Sequence, residues 1–335
     1  MIYLDNAATT KIAQTVFQKI KETEETLYLN ANANYSVKIQ NEIESAAKII
    51  LRKLDGSKGH LIFTSGATES NKLIIEHFFD KQGSGNRLAI IGDEHASIYE
   101  VAKGLGYTTV PDKNTRLFCF GLINSDTGTM IDAKEIIKKV RQAAPQCHIH
   151  CDATQAFCKY DFSVNELDFD SCTVSAHKIN GPKGVGALWT KKNNIFRLGT
   201  PNNGGIIGFA SAVENFDTKK NLEKINKLHD YLIENLPEGC NVNGNNNNPY
   251  ITNISLPNIM GETMLNALAS KQIYVGTGSA CSSNANGNRS LALLGLSKKQ
   301  QKQVIRISFG KDNTMDEVKE FLQILTDKIT QLSQR

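Results

Sequence analysis

The stretch CHIHCDATQA, residues 147–156, has the pattern of a short buried strand that runs into polar residues. Four more stretches have the same form: HLIFTSG (60–66), RLAIIGDEH (87–95), RLFCFGLINSD (116–126) and DSCTVSAHK (170–178). Helix-like segments, such as residues 69–80 and 132–144, separate them. This alternation predicts an α/β fold in which helices flank a mostly parallel sheet.

A second region begins near residue 221 with the helical stretch NLEKINKLHDYLIENL. It continues through the asparagine-rich run NVNGNNNNPY, which is typical of a surface loop, and through two short strand patterns to a final helix. With 335 residues, the chain is long enough for two domains. We predict a large domain at residues 11–220, and a smaller α+β domain made of residues 1–10 and 221–335.

The bulk composition argues against several classes of protein. Hydrophobic residues make up 40% of the chain and the net charge is +4, which disfavours both disorder and nucleic-acid binding. No apolar run is long enough to span a bilayer, and MIYLDNAATT lacks a secretory pattern. Seven cysteines, an odd number, are typical of reduced thiols. We therefore expect a cytoplasmic protein that contacts neither membrane nor nucleic acid.

Four potential metal ligands lie close together in the central stretch. They are Cys147, His148, His150 and Cys151, and their spacing fits no standard zinc pattern. A buried strand is the simpler interpretation, so we expect no metal here.

Lys178 and Asp152 each lie at or just past the end of a predicted strand. Parallel strands end at a common edge of the sheet, where ligands bind. Pyridoxal phosphate needs a lysine for its Schiff base and an acidic partner for its pyridinium nitrogen, and these two residues could supply both. The alternative is an ordinary solvated lysine at the surface.

The segment FTSGATESNKLIIE predicts an anion site. A strand ends at Thr64, a turn of small residues follows, and a helix starts near Thr68. Backbone N–H groups at a helix N-terminus, with a hydroxyl beside them, bind phosphate. Ser175 and His177 could add hydrogen bonds, and His95 could stack on a flat cofactor or relay protons. An ordinary capped helix and a surface histidine are the simpler alternatives.

Cys281 lies in the glycine- and serine-rich stretch YVGTGSACSSNANGNRS, whereas most of the other cysteines lie in apolar strand patterns. A thiol on a polar loop is the better nucleophile, although an incidental free cysteine is the alternative. Arg306 is a lone cation in the apolar strand VIRISFG. A buried cation needs a partner, and a substrate carboxylate bound by its planar guanidinium would be one.

Seven segments, in order along nearly the whole chain, resemble those of NifS-like cysteine desulfurases: YLDNAATT, FTSGATES, CDATQA, SAHKINGPKGVGAL, GTPNNGGIIGF, GSACSS and IRISFG. These are class-V, fold-type I pyridoxal-phosphate enzymes. The resemblance implies a smaller domain that carries the catalytic cysteine loop. It also implies removal of sulfur from L-cysteine, which leaves L-alanine and a persulfide on Cys281.

The resemblance gives each matching residue a role. Lys178 would hold pyridoxal 5′-phosphate, Cys281 would receive the sulfur, and His95 would stack on the ring and act in catalysis. Arg306 and Asn124 would bind the substrate. The other cofactor-binding residues would be Ala67, Thr68, Ser125, Asp152, Gln155, Ser175, His177 and Thr200.

Some of these roles imply specific contacts. Asp152 and Gln155 would contact the pyridine ring and its phenolic oxygen. Thr200 would reach the phosphate bound by the partner subunit, which implies a homodimer. The sulfur would pass to a protein acceptor that the sequence does not name, for iron–sulfur clusters or tRNA thiolation.

Three features depart from the family pattern. Ser125 stands where related enzymes have an asparagine that touches the cofactor's phenolic oxygen. The connection at residues 189–197 lacks a glycine-rich segment, and the stretch NANANYSV lacks a histidine and a proline. Other class-V reactions, selenocysteine cleavage or amino-group transfer, are one alternative to cysteine desulfuration. A degenerate paralogue of low activity that acts as a binding protein is a further alternative.

Overall fold

The computed structural model describes residues 1–79, 87–192, 195, 199–245, 248–277 and 287–333. The chain divides into two compact units. The large unit comprises residues 10–122 and 131–218, and the small unit comprises residues 1–9, 123–130 and 219–335. Among the described residues, no helix combines the length and the apolar character needed to cross a membrane.

The strands, numbered along the chain, are β1 (Ile2–Tyr3), β2 (His60–Thr64), β3 (Arg87–Ile90), β4 (Tyr107–Thr108), β5 (Thr115–Gly121), β6 (His148–Asp152), β7 (Ser171–Ser175), β8 (Gly186–Thr190), β9 (Asn241–Asn243), β10 (Ile251–Ser255), β11 (Ile273–Tyr274) and β12 (Val304–Ser308). The helices are α1 (Gln14–Thr26), α2 (Val37–Lys53), α3 (Ala67–Phe79), α4 (Ala96–Leu105), α5 (Ala133–Ala143), α6 (Asn203–Glu214), α7 (Thr218–Glu234), α8 (Gly261–Ala269), α9 (Arg289–Leu293), α10 (Lys298–Gln301) and α11 (Met315–Ser333). A short 3-10 turn, Ala176–Lys178, lies between β7 and β8.

Within the described part of the large unit, a seven-stranded sheet has the order β2-β8-β7-β6-β5-β3-β4. Strands β3 to β7 run parallel to one another, whereas β8 is antiparallel to both of its neighbours, β7 and β2. The predicted α/β fold with a mostly parallel sheet flanked by helices is therefore confirmed.

Apolar residues of α3 and α4 form the core together with residues of the sheet. Ile74 and Ile75 of α3 and Ile98 of α4 pack with strand residues such as Leu88 and Leu117 in one buried cluster. Strands β5, β6 and β7 are buried along most of their length, as expected for parallel strands covered on both faces. This packing fixes the position at which each strand ends.

Gly186, the first residue of β8, lies in register between Thr64 at the end of β2 and Ser175 at the end of β7. A Cβ atom on this glycine would lie 2.8 Å from the Cα of Gly66 and 2.8 Å from the carbonyl oxygen of Val174. Real Cβ atoms do not approach backbone atoms this closely, so the position requires glycine. The turn after β2 is thereby held directly against the sheet.

The small unit contains an antiparallel sheet of order β12-β10-β9 and a parallel pair, β1-β11, among the residues that the structure describes. Asp5, just after β1, forms a parallel bridge with Ser308 at the end of β12. The N–H of Ala7 donates to the hydroxyl of Ser308 at 2.8 Å. These contacts place residues 3–9 of the N-terminal motif beside the strand that carries Arg306.

Residues 123–130 belong to the small unit, whereas the sequence-based division placed them in the large domain. Asn253 of β10 donates to the carbonyl oxygen of Asp126 at 3.1 Å, across 127 positions of sequence. Gly128 lies so close to Ile251 that an added Cβ would be 2.1 Å from its carbonyl oxygen. Contacts this distant along the chain leave no local pattern, which explains the difference.

We predict that Gly186→Ala lowers the free energy of unfolding by about 1–3 kcal/mol, because the added methyl group meets backbone atoms. Gly104→Ala is the matched control, since Gly104 lies in α4 with no heavy atom within 4 Å of an added Cβ. That variant should be neutral or more stable by about 0.5–1 kcal/mol. Urea unfolding of both variants makes the comparison, and equal unfolding free energies would contradict the tight contact at Gly186.

Candidate active site

Asp152 is the last residue of β6, and its half-buried carboxylate is held by two donors. Oδ2 accepts a hydrogen bond from Nδ2 of Asn71 at 2.8 Å, and Oδ1 accepts one from the backbone N–H of Thr154 at 2.9 Å. Each carboxylate oxygen has further acceptor capacity. The carboxylate is therefore fixed in orientation and can still accept a hydrogen bond from a cationic ring nitrogen.

His95 is the N-cap of α4, where its Nδ1 accepts from the backbone N–H of Ser97 at 3.2 Å. The hydroxyl of Ser97 also lies 2.9 Å from this nitrogen and accepts from Nδ2 of Asn71 at 2.9 Å. Asn71 thus connects two predicted site residues, His95 and Asp152. The sequence prediction had not identified Asn71.

The predicted anion site lies at the turn between β2 and α3. Ala67 and Thr68 are the first two residues of α3, and the N–H groups of a first helical turn have no intrahelical acceptor. Ser175 lies on the other side of Gly186 in register from the end of β2. Its buried hydroxyl has no hydrogen-bond partner among the described residues. Such an unpaired buried group is unfavourable unless a ligand supplies the partner.

Lys178 ends the 3-10 turn that follows β7. Thr10 holds this turn, because its N–H and its hydroxyl each donate to the carbonyl oxygen of His177 at 2.9 Å. The same hydroxyl accepts from the backbone N–H of Asn180 at 2.7 Å. Burial, followed by the charge of Lys178, lowers the pKa of His177 to about 4. The lysine and the histidine therefore act on each other electrostatically.

Gln155 is buried just after β6, and its Oε1 accepts from Nζ of Lys159 at 3.1 Å. A lysine side chain has only donors, so this contact sets which end of the Gln155 amide faces it. Lys159 is itself 3% exposed. Burial, and then the charge of Lys178, lowers its pKa to about 7. The sequence prediction had missed Lys159 as a neighbour of the cofactor-binding residues.

Arg306 of β12, in the small unit, is 5% exposed and already has a partner within the chain. Its Nη2 donates to Oδ1 of Asp5 at 2.7 Å, and its Nη1 donates to the carbonyl oxygen of Ser125 at 2.8 Å. The partner that a buried cation needs is thus supplied within the chain, by a residue 301 positions away that the sequence pattern did not indicate. Nε is buried without a hydrogen-bond partner among the described residues, and substrate binding by Arg306 stays a prediction.

Asn124 and Ser125 also belong to the small unit. Oδ1 of Asn124 accepts from the N–H groups of Asp126 and Thr127 at 2.8 and 2.9 Å, and Nδ2 donates to Ser290 at 2.9 Å. The Asn124 amide therefore builds the turn that follows it. The predicted contacts of Asn124 with substrate and of Ser125 with cofactor stay predictions.

Cys281, the predicted sulfur acceptor, lies outside the described residues. Thr200 is exposed and precedes α6 in the large unit. The connection at residues 189–197 is described only in part.

The described cysteines are poorly suited to nucleophilic attack. Five are buried, and Cys240 is half-buried. Burial raises the pKa of Cys147 and of Cys158 to about 12, and that of Cys240 to about 11. Because the thiolate is the reactive form, these thiols would react slowly at neutral pH.

Two of the residues that sequence reasoning missed could have been found from spacing. Asn71 lies four residues after Ala67 in α3, on the same face of the helix. His150 lies two residues before Asp152 in β6, on the same face of the strand. Polar residues at these positions are neighbours of the recognised motifs, and His150 contacts Asn71 through Nε2 at 3.0 Å.

Comparison with known proteins gives matches along nearly the whole chain. A cysteine desulfurase IscS of Dictyoglomus turgidum is 30% identical over 328 residues, which is 85% of this chain and 83% of that protein. A cysteine desulfurase IscS of Rickettsia massiliae is 27% identical over 381 residues, covering 99% of this chain and 92% of that protein. A solved structure described as a NifS-like protein has a TM-score of 0.88 and 26% identity, covering 98% of this chain and 99% of the other.

The family model described as Aminotransferase class-V matches residues 2–111, 106–198 and 189–321. These matches include the strands that carry Asp152 and Arg306 and the turn that carries Lys178. The chain therefore belongs to the class-V aminotransferase family, as the resemblance in its sequence had predicted.

Proposed function

We propose that this protein is a pyridoxal-phosphate-dependent cysteine desulfurase. It removes sulfur from L-cysteine and leaves L-alanine, with the sulfur held as a persulfide on Cys281. The observation that carries the proposal is the sheet edge of the large unit, where the turn bearing Lys178 follows β7 and the oriented carboxylate of Asp152 ends the adjacent β6. The relatives named cysteine desulfurase support the choice of substrate.

The residues at this edge fit pyridoxal phosphate. A phosphate needs donors, and the first turn of α3 and the unpartnered hydroxyl of Ser175 would supply them. It also needs positive charge. After burial, the groups that lower the pKa of His177 are Lys178, Lys183, Lys159 and His95. Basic groups that interact in this way are stabilised when an anion such as phosphate binds near them. When bound, the cofactor supplies an electron sink for the α-carbon of the substrate.

The side chains of the large unit would hold and serve this group. Lys178 would hold it covalently through Nζ and, once released as a free amine, take the α-proton of the substrate. Asp152 would accept from the ring nitrogen and keep it protonated. Gln155, whose Oε1 faces Lys159, would direct its Nε2 donor at the phenolic oxygen. His95 would lie against the face of the ring.

Arg306 would bind the carboxylate of L-cysteine. Nε of its guanidinium is buried and has no hydrogen-bond partner among the described residues. Nη1 donates to the carbonyl oxygen of Ser125, and Nη2 donates to the carboxylate of Asp5. A planar guanidinium fixed in this way is already oriented for a second carboxylate. The carboxylate of Asp5 offsets part of the positive charge of the guanidinium.

The sulfur step belongs to Cys281. Its thiolate attacks the sulfur of the substrate, a sulfur–sulfur bond forms, and the carbon–sulfur bond breaks with its electron pair left on the carbon fragment. That fragment takes up protons and leaves as alanine. The persulfide would then pass its terminal sulfur to a protein acceptor in the cytoplasm.

We predict that Cys281→Ser abolishes alanine release from L-cysteine, while the visible absorbance of the bound cofactor still changes when L-cysteine is added. A serine hydroxyl has nearly the size of the thiol but is far less ionised at neutral pH. Lys178→Ala should lose both responses, because it removes the covalent attachment and the base. Alanine and the absorbance spectrum are measured on the same samples.

Cys240→Ser is the matched control for loss of a thiol. Cys240 is half-buried in the small unit and its pKa is raised to about 11, so this variant should release alanine at the wild-type rate. Wild-type alanine release by Cys281→Ser would show that Cys281 is not the sulfur acceptor. In that case, another class-V reaction becomes the better proposal.

We also propose that the chain forms a homodimer in which Thr200 reaches the cofactor phosphate of the partner subunit. Thr200 is exposed just before α6, which leaves its hydroxyl available to a second chain. We predict that sedimentation gives twice the 36.9 kDa mass of one chain. Thr200→Ala should weaken cofactor retention about tenfold without dissociating the dimer, as expected for one hydrogen bond to a charged group. A monomer that retains the cofactor tightly would refute the shared site.

A further inference from the structure

A chain of hydrogen bonds runs through the large unit between the first and last residues of β6. Its members, in order, are His148, Ser171, His150, Asn71 and Asp152, and consecutive polar atoms lie 2.8–3.0 Å apart. The three middle residues are completely buried. A branch leaves Asn71 through Ser97 to His95, at 2.9 Å for each step.

The donor and acceptor of each hydrogen bond can be assigned by starting from Asp152. A carboxylate oxygen accepts, so Asn71 must direct Nδ2 at Asp152 and give its second N–H to the hydroxyl of Ser97. Oδ1 of the same amide then faces Nε2 of His150 at 3.0 Å. Because an amide oxygen only accepts, Nε2 of His150 must carry a proton.

The donors and acceptors at the His148 end of this hydrogen-bond chain are assigned in the same way. With its proton on Nε2, neutral His150 has an acceptor at Nδ1, and the hydroxyl of Ser171 donates to it at 2.8 Å. A hydroxyl has one hydrogen, so Ser171 must accept from Nε2 of His148, also at 2.8 Å. His148 and His150 therefore share the same tautomer.

The branch determines the tautomer of His95. The hydroxyl of Ser97 accepts from Asn71 and keeps its own hydrogen for Nδ1 of His95. The backbone N–H of Ser97 also donates to this nitrogen at 3.2 Å. Nδ1 of His95 is thus an acceptor, and its ring proton lies on Nε2.

Burial keeps the two distal histidines neutral. It is the main cause that lowers the pKa of His148 to about 4 and that of His150 to about 3. At neutral pH each ring carries one proton, as the direction of the hydrogen bonds requires. A charged His150 would bring a second proton to Nδ1 and break the bond from Ser171.

We propose that His150 is a positioning residue for the cofactor site. The proton that it gives to Asn71 fixes the amide that orients the carboxylate of Asp152 and, through Ser97, the imidazole of His95. Ser171 in turn holds His150 in the tautomer that can donate. The identity of the cofactor as pyridoxal phosphate rests on the proposed function. The hydrogen bonds do not, because they join side chains of the protein itself.

Loss of the His150 donor would act on the site through Asn71. The buried Oδ1 of the amide would lack a hydrogen-bond donor, which is unfavourable. The amide could then turn, and a turned amide presents oxygen to the carboxylate of Asp152. The carboxylate would lose its orientation, and the ring nitrogen of the cofactor would be held less well.

The tautomers are measured by two-bond nitrogen–proton correlation spectra of the histidine rings at pH 7, with and without pyridoxal phosphate. We predict a proton on Nε2 in His95, His148 and His150. Ser171→Ala should leave the proton of His150 on Nε2, because Oδ1 of Asn71 still accepts from it, and should leave His95 unchanged. A wild-type His150 protonated on Nδ1, or on both nitrogens, would overturn the proposal.

A pair of variants tests the effect on the cofactor. His150→Leu removes the donor, whereas His150→Gln keeps an N–H group that can reach Asn71. We predict that His150→Leu retains pyridoxal phosphate about tenfold less tightly and that His150→Gln restores most of this loss. His229→Leu, which removes a buried histidine of α7 in the small unit, is the matched control and should retain the cofactor normally.

Equal cofactor retention by the leucine and glutamine variants would contradict a role for the donor, because a merely structural loss affects both. If His150→Leu does not fold, the tautomers of Ser171→Ala decide the question: a proton of His150 on Nδ1 in this variant would overturn the proposal. Neither measurement uses alanine release, so a result against the desulfurase function leaves this test intact.

Discussion

The carboxylate of Asp152, at the end of a buried strand, needs hydrogen-bond donors that keep it in one orientation. The packing of the helix and strands around it in the large unit provides them. A carboxylate at such a position is stable only with hydrogen-bond donors around it. Asn71 from α3 and the backbone N–H of Thr154 supply them. The packing of α3 on the sheet is therefore also what orients the acid, and β7, paired directly with β6, leads to the turn of Lys178.

The buried basic side chains of the two units have different electrostatic environments. In the large unit, Lys159 is buried, and burial together with the charge of Lys178 lowers its pKa to about 7. His177 is affected in the same way by neighbouring basic groups. In the small unit, the buried guanidinium of Arg306 is paired with Asp5 at 2.7 Å. The large unit thus has buried basic groups that interact with one another, whereas the small unit pairs its buried guanidinium with a carboxylate.

The sequence predicted the parallel sheet and the polar residues at its edge because both leave a local pattern, an apolar run followed by a polar turn. Asp152, Ser175 and Lys178 were predicted as site residues in this way. Contacts between distant segments leave no such pattern. His150 and Asn71 meet across 79 positions of sequence, and Arg306 and Asp5 meet across 301. Their roles depend on which faces of helix and strand are packed together, which periodicity alone does not determine.

Transfer of sulfur from L-cysteine to Cys281 is the central claim, and mass spectrometry of the protein after addition of L-cysteine tests it most directly. The protein is digested without reductant, and the peptide that contains Cys281 is compared with the peptides of the other cysteines. We expect the added mass of one sulfur atom on Cys281, removed by reductant and matched by released alanine. Sulfur on Cys240 or a buried cysteine instead, or alanine release without any persulfide, would contradict the proposed chemistry.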